Sequence, residues 1–338
     1  MIHKGKGKIL SFGELLLRLC PDSEGDWLTK NILPFYIGGA ELNVATALAR
    51  WGLPSKYCTV LPSNGMSFQL VDYLNKLQID TSSISYQGNR LGLFYLTKGR
   101  DMKHGELIYD RANSAFAELK AGTINWAHVL EDVSWFHFSA ICPAISKNAA
   151  AVCLEALQAA SSKNITISVD LNYRAALWNY GEEPVLVMPQ LVKFCNVIMG
   201  NIWSANALLN VPLSPGLSES GQKNDYLSQS EQTSLRIMEQ FPKCHAVANT
   251  FRFSCGSDLK YYTTLYADQL YVSTEYQSEH IIDQVGSGDS FMAGLIYGFY
   301  KGWFPGKTLE FATASAFNKL FIPGDATTLS VEEIQAML

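Results

Sequence analysis

The chain has 338 residues, 48% hydrophobic and 17% charged, with a formal net charge of −5. That supplies a sizeable core and excludes wholesale disorder, and its longest basic feature, Lys4-Gly5-Lys6-Gly7-Lys8, is too short for a nucleic-acid-binding face. Seven scattered cysteines (Cys20, Cys58, Cys142, Cys153, Cys195, Cys244, Cys255) without a CxxC pair indicate neither a disulfide framework nor a zinc site. With no apolar signal segment in Met1–Ile9 and no run of about 20 apolar residues, a cytoplasmic protein without a membrane span is expected.

Glu14–Cys20 and Pro34–Ile37 read as short strands rich in Leu, Phe and Tyr. Glu41–Trp51 then carries Leu42, Ala45, Leu48 and Ala49 on one helical stripe, stopped by Gly52. Ser55–Leu61 is a buried strand. Arg90–Thr97 and Glu106–Asp110 resemble the first pair of extra strands, and the four together predict a small β-lid outside the main sheet. Strands at Ser134–Ala140, Ile165–Asp170, Asn196–Met199 and His245–Thr250 alternate with helices at Asn148–Ser161 and Ser230–Gln240. A β-then-α rhythm implies a mostly parallel sheet covered on both faces. Val211 to Gln232 turns to Ser, Gly, Pro and Asn and reads as a long surface loop. His137, in an apolar strand, reads as a core residue.

Two glycine motifs carry the chemistry. In Ile281-Ile282-Asp283-Gln284-Val285-Gly286-Ser287-Gly288-Asp289, a short apolar strand feeds a glycine turn, and a helix begins near Asp289 and runs to Tyr300. Amides of Gly286, Ser287 and Gly288 would meet an anion at a positive helix end, and Asp289 would place a carboxylate beside it, able to take a proton from an attacking hydroxyl. On spacing alone, an Asp capping a helix in a tight turn explains the motif equally well. No GK[ST] follows, and the third glycine of a dinucleotide fingerprint is absent. At the other end, Gly38-Gly39-Ala40-Glu41-Leu42-Asn43 opens a helix in the same way. Its glycines leave room for a sugar against the backbone, with Asn43 bonding its hydroxyls, or they simply give a helix start its space.

Together these motifs resemble the paired signatures of the ribokinase-like (PfkB) carbohydrate kinases, in the family's order and over essentially the whole chain. The resemblance implies a three-layer α/β/α fold with a β-lid, formed here from about 14–37 and 90–111, in one kinase domain over 1–338. It also implies ATP and Mg2+ as cofactors, Asp289 as base, Gly286, Ser287 and Gly288 as anion hole, and a possible homodimer through the lid. The expected partners are a small sugar or sugar acid and a nucleotide, with no nucleic acid and no membrane. Arg90-Leu91-Gly92-Leu93-Phe94-Tyr95, the stretch Tyr109-Asp110-Arg111, and Asp170-Leu171-Asn172-Tyr173-Arg174 are similar to 2-keto-3-deoxygluconate kinases.

A sugar acid needs a counter-charge, which Arg111 and Arg174 would provide bidentately, with Tyr95 and Tyr109 adding phenol bonds. The substrate set is thus Gly38, Gly39, Asn43, Arg90, Tyr95, Tyr109, Arg111, Asn172 and Arg174. Asn201, Gly286, Gly288 and Asn318 are the nucleotide set, and the metal ligands are unknown. The family's Asn-x-x-Glu element becomes Asn201-Ile202-Trp203-Ser204, with a serine where the acid is usual. A neutral-sugar kinase and a non-catalytic sugar-acid sensor are the alternative readings.

Overall fold

The computed structural model describes residues 5–20, 32–96, 107–217, 221–255 and 258–338. Its first strand, β1 (Lys8–Phe12), runs into the lid strands β2 (Leu16–Leu19) and β3 (Phe35–Gly38), and then into α1 (Ala40–Arg50). Next come β4 (Ser55–Leu61), α2 (Gly65–Lys76), β5 (Asp80–Tyr86) and two further lid strands, β6 (Gly92–Leu96) and β7 (Leu107–Asp110). The central stretch holds α3 (Trp126–Val129), β8 (Val133–Ser139), α4 (Ile141–Ile145), α5 (Lys147–Ser162), β9 (Thr166–Asp170) and α6 (Pro184–Val192). It continues through β10 (Val197–Gly200), α7 (Ile202–Leu209), α8 (Lys223–Gln240) and β11 (Ala246–Cys255). Three strands, β12 (Asp258–Tyr266), β13 (Leu270–Val272) and β14 (Tyr276–Ser278), precede α9 (Ser287–Tyr300), α10 (Pro305–Lys319) and α11 (Val331–Gln335).

The main sheet runs β13-β12-β11-β10-β9-β8-β1-β4-β5, with β14 paired to β12. From β11 through β5 every pairing is parallel, while β12, β13 and β14 join antiparallel. Strand residues alternate between two cores. Leu10, Phe12, Phe136 and Phe138 face a cluster with α5, α6 and α7, and Ile9, Trp135, Val197 and Met199 face one with α1, α9 and α10. This two-sided burial is why the strands read as continuous apolar runs. The fold is the expected α/β architecture, a mostly parallel sheet between two helical layers. After β1 the chain moves one way to β4 and β5, then returns to β8 on the other side of β1. A cleft forms outside the carboxyl ends of strands at such a switch point.

The second sheet has the order β3-β2-β6-β7 and is built from the four segments expected as the lid. Residues 21–31 and 97–106, which that expectation also covered, lie outside the described residues. Two expectations are corrected. The loop from Val211 to Gln232 is shorter, because α8 begins at Lys223, where Gln222 and Asp225 form a capping box that a Ser/Asn-rich composition conceals. The Ile281-Ile282 stretch expected as a strand into the C-terminal glycine turn is not one. The amides of Ile282 and Asp283 instead bond the Leu320 carbonyl at 2.8 and 3.1 Å. His137 is a core residue: burial holds its imidazole down at about 3, and Nδ1 lies 3.1 Å from Ser168 Oγ. Among the described residues no helix is long and apolar enough to cross a membrane.

Candidate active site

The cleft is floored by the ends of β9 and β10, through Asp170 and Gly200, by Thr250 within β11, and by the start of α9. Its roof is the second sheet, which contributes Leu16, Phe94 and Tyr109. Helix α9 begins at Ser287, two residues earlier than the sequence suggests, after Gly286 at φ 81°. A side chain at Gly286 would place its Cβ 1.7 Å from the Asp325 carbonyl, so the turn closes only with glycine. The first amides of a helix have no partner within it, and those of α9 open towards the cleft that Gly286, Ser287 and Gly288 line. A Cβ on Gly288 would meet only Met199 Cε, at 3.9 Å, so this surface is free for a ligand to approach the backbone.

Asp289 is 7% exposed and accepts a 2.7 Å hydrogen bond from Asn43 Nδ2 on α1. Burial raises its carboxyl to about 7; Asn43 and Arg174 oppose the rise, and Glu41 and Asp325 add to it. A carboxylate ionising there is suited to general-base work near neutral pH. Asp170, named in the sequence motif but given no role there, also faces the cleft. Burial first, then the Asp289 charge, pushes it well above the usual carboxylate range. Its place at the carboxyl end of a predicted strand is the signal that would have found it.

The predicted substrate residues separate in space. Gly39, Asn43, Tyr109, Arg111, Asn172 and Arg174 all line the cleft. Arg174 bonds the Tyr173 carbonyl at 2.9 Å and the Tyr109 phenol, while its buried Nε has no partner among the described residues. Arg111 is already engaged, with Nε 2.6 Å from Glu14 Oε2, and Ser114 bonds the other oxygen of the same carboxylate. Arg90 is outside the lining and grips Asp110, at 2.7 Å, and the Ala112 carbonyl. Tyr95 is outside it too: side chains alternate along β6, and Phe94 is the one that faces inward. Gly38 is small because Asp325 Oδ2 would lie 2.3 Å from a Cβ there.

Of the predicted nucleotide residues, Asn201 lines the cleft and caps α7 by accepting from the Ser204 amide at 2.8 Å. Ser204 lines it as well. Asn318 lies outside, its amide back-bonded to Ala314 on α10. Sequence reasoning missed Glu41, whose buried carboxylate accepts from the Ser139 amide at 2.9 Å. It also missed Arg18, which is fully buried between Asp283 and Asp325.

A family model described as pfkB family carbohydrate kinase matches residues 6–329. The solved structure of a 2-dehydro-3-deoxygluconokinase from Thermotoga maritima superposes with a TM-score of 0.87 at 33% identity, covering 98% of this chain and 99% of that one. A 2-dehydro-3-deoxygalactonokinase from Haloferax volcanii is 31% identical over 173 residues, 51% of this chain. The chain spans only 54% of that relative's length in this match. A 5-dehydro-2-deoxygluconokinase from Geobacillus thermodenitrificans is 24% identical over 83% of this chain and 77% of its own.

Proposed function

The chain belongs to the pfkB family of carbohydrate kinases, and from that premise we propose that it transfers the ATP γ-phosphoryl group to the C6 hydroxyl of 2-keto-3-deoxygluconate. The observation that carries the reading is the buried Asp289 at the start of α9, facing the same cleft as Arg174, whose Nε is unpartnered. The named activities of the Thermotoga, Haloferax and Geobacillus relatives, all on deoxy sugar acids, support it.

In this mechanism the substrate carboxylate lies on the Arg174 guanidinium, with Tyr109 from the lid closing over the sugar. Asn43 fixes one Asp289 oxygen, and the other takes the proton of the attacking hydroxyl as the phosphoryl group moves in line. The amides of Gly286, Ser287 and Gly288 meet the charge that builds on the transferred group. Asp170, held above the usual carboxylate range, can present a protonated oxygen to the sugar.

Among the described residues no three His, Cys, Asp or Glu side chains gather as a cation site. A magnesium ion is held largely through nucleotide phosphates and the waters it keeps, so it would fit a cleft whose carboxylates, Asp170 and Asp289, are committed to the sugar and the hydroxyl proton. When bound, it neutralises phosphate charge.

A neutral-sugar kinase is the second reading, favoured by one feature. Arg111 is spent on Glu14, so of the two arginines expected to hold a carboxylate only Arg174 keeps an unpartnered nitrogen. The test is ADP release with ATP and magnesium across sugars and sugar acids. Turnover with 2-keto-3-deoxygluconate above that with fructose or ribose is expected. A preference for a neutral sugar would replace the substrate, and sugar binding without transfer to any acceptor would replace the kinase by a sensor.

A further inference from the structure

Arg18 has no part in the chemistry above, yet it is completely buried, on lid strand β2. Its Nη2 lies 2.5 Å from Asp283 and its Nε 2.7 Å from Asp325, while the Tyr36 ring covers the guanidinium at 4.6 Å. Asp283 passes the restraint on: one oxygen accepts from the Val285 amide and the other from the Gly324 amide, each at 3.1 Å. Asp325 in turn presents its carbonyl to Gly286 so closely that no Cβ fits between them. A second observation is independent of the charges. Val285, the residue before Gly286, packs into the lid's own apolar cluster with Leu16, Phe94 and Leu96. The glycine turn is therefore held through the second sheet by an ionic clamp and an apolar contact.

We infer that Arg18 is a positioning residue for phosphoryl transfer: it fastens the Asp283–Gly288 turn to the lid, so that the lid's seat over the sugar sets the place of the α9 amides. This rests on the function proposed above. A buried arginine shared by two carboxylates is a poor source of stability but a good source of register, since its fork fits one arrangement. Displacing a transition-state donor by a fraction of an ångström costs rate rather than ground-state binding.

The direct variant, Arg18→Met, strands two buried aspartates and is liable to unfold. The informative variant is Arg18→Met with Asp325→Asn. It removes one charge of each sign, leaves Asp283 its amide bonds, and leaves buried Lys319 as a cation near it. Hydrogen exchange and steady-state kinetics are measured on the full chain. Amides 285–289 should exchange at least about tenfold faster than in the wild type, with β9 and β10 unchanged. Turnover at saturation should fall about 10- to 100-fold with each KM within about threefold, and Arg18→Lys should recover part of it. Unchanged exchange at the turn, or turnover within about twofold of wild type, overturns the clamp. A wild-type protein that phosphorylates no sugar would sink the kinase reading alone, because the exchange comparison still decides the clamp.

Discussion

The two walls of the cleft handle charge in opposite ways. In and around the lid each arginine described above is paired within the protein: Arg111 with Glu14, Arg90 with Asp110, Arg18 with Asp283 and Asp325. On the floor, burial and the Asp289 charge hold the Asp170 carboxyl well above the usual range, Arg174 keeps a free Nε, and Asp289 receives a single bond from Asn43. A buried charge left incompletely paired is expensive, so a fold keeps one where a ligand completes it. The lid arginines are struts, and in the function proposed above the floor groups are the reagents.

The largest effect expected from breaking this division is at Asp289. Asp289→Asn keeps shape and removes the base, so turnover should fall about 10²- to 10⁴-fold with sugar affinity little changed. The same change should stabilise the protein in a pH-dependent way. The folded carboxyl ionises at about 7 against an ordinary 3.8, so folding takes up a proton, and stability from this group is lost as pH rises through that window. The variant should therefore melt above the wild type at about pH 8, with the gap closing towards about pH 4. A cap would behave in reverse, with turnover kept and stability lost.

Arg111→Ala comes next. It strands the Glu14 carboxylate, 2% exposed, and should cost about 3–5 kcal/mol of stability by denaturant titration, whatever ligand is present. Arg174→Ala should do the opposite: nearly normal stability, with 2-keto-3-deoxygluconate binding weakened about tenfold to a hundredfold by calorimetry. Fructose or ribose should lose far less. Equal losses for acid and neutral sugar would return Arg174 to the struts. The smallest effect belongs to Arg90→Ala. Its pair with Asp110 is more than a third exposed on both sides, so about 1 kcal/mol or less should be lost, with sugar affinity unchanged.

This division explains what could be read from the sequence. The alternating apolar strands and helices, the lid segments and both glycine turns were legible because hydrophobic period and backbone room are local properties. Arg90, Arg111 and Arg174 look alike in sequence, since each sits in a motif-like phrase. What separates them is whether a carboxylate from elsewhere in the chain reaches them, and Glu14 is 97 residues from Arg111. Arg18 was equally hidden, as its partners lie 265 and 307 residues away. Tyr95 lies outside the lining for a local reason that one register step decides: Phe94 takes the inward face. Asp170 could have been found, because its strand end was known.

The central claim is that a buried Asp289, ionising near neutrality, takes the hydroxyl proton. The most direct measurement is kcat/KM for 2-keto-3-deoxygluconate, at fixed magnesium and ATP, from about pH 5.5 to about pH 8.5. The rate should climb with pH through a midpoint near the value of about 7 that burial gives this carboxyl, and the residual rate of Asp289→Asn should lose that step. A wild-type rate flat across the range, or a step that survives unchanged in Asp289→Asn, would contradict the assignment.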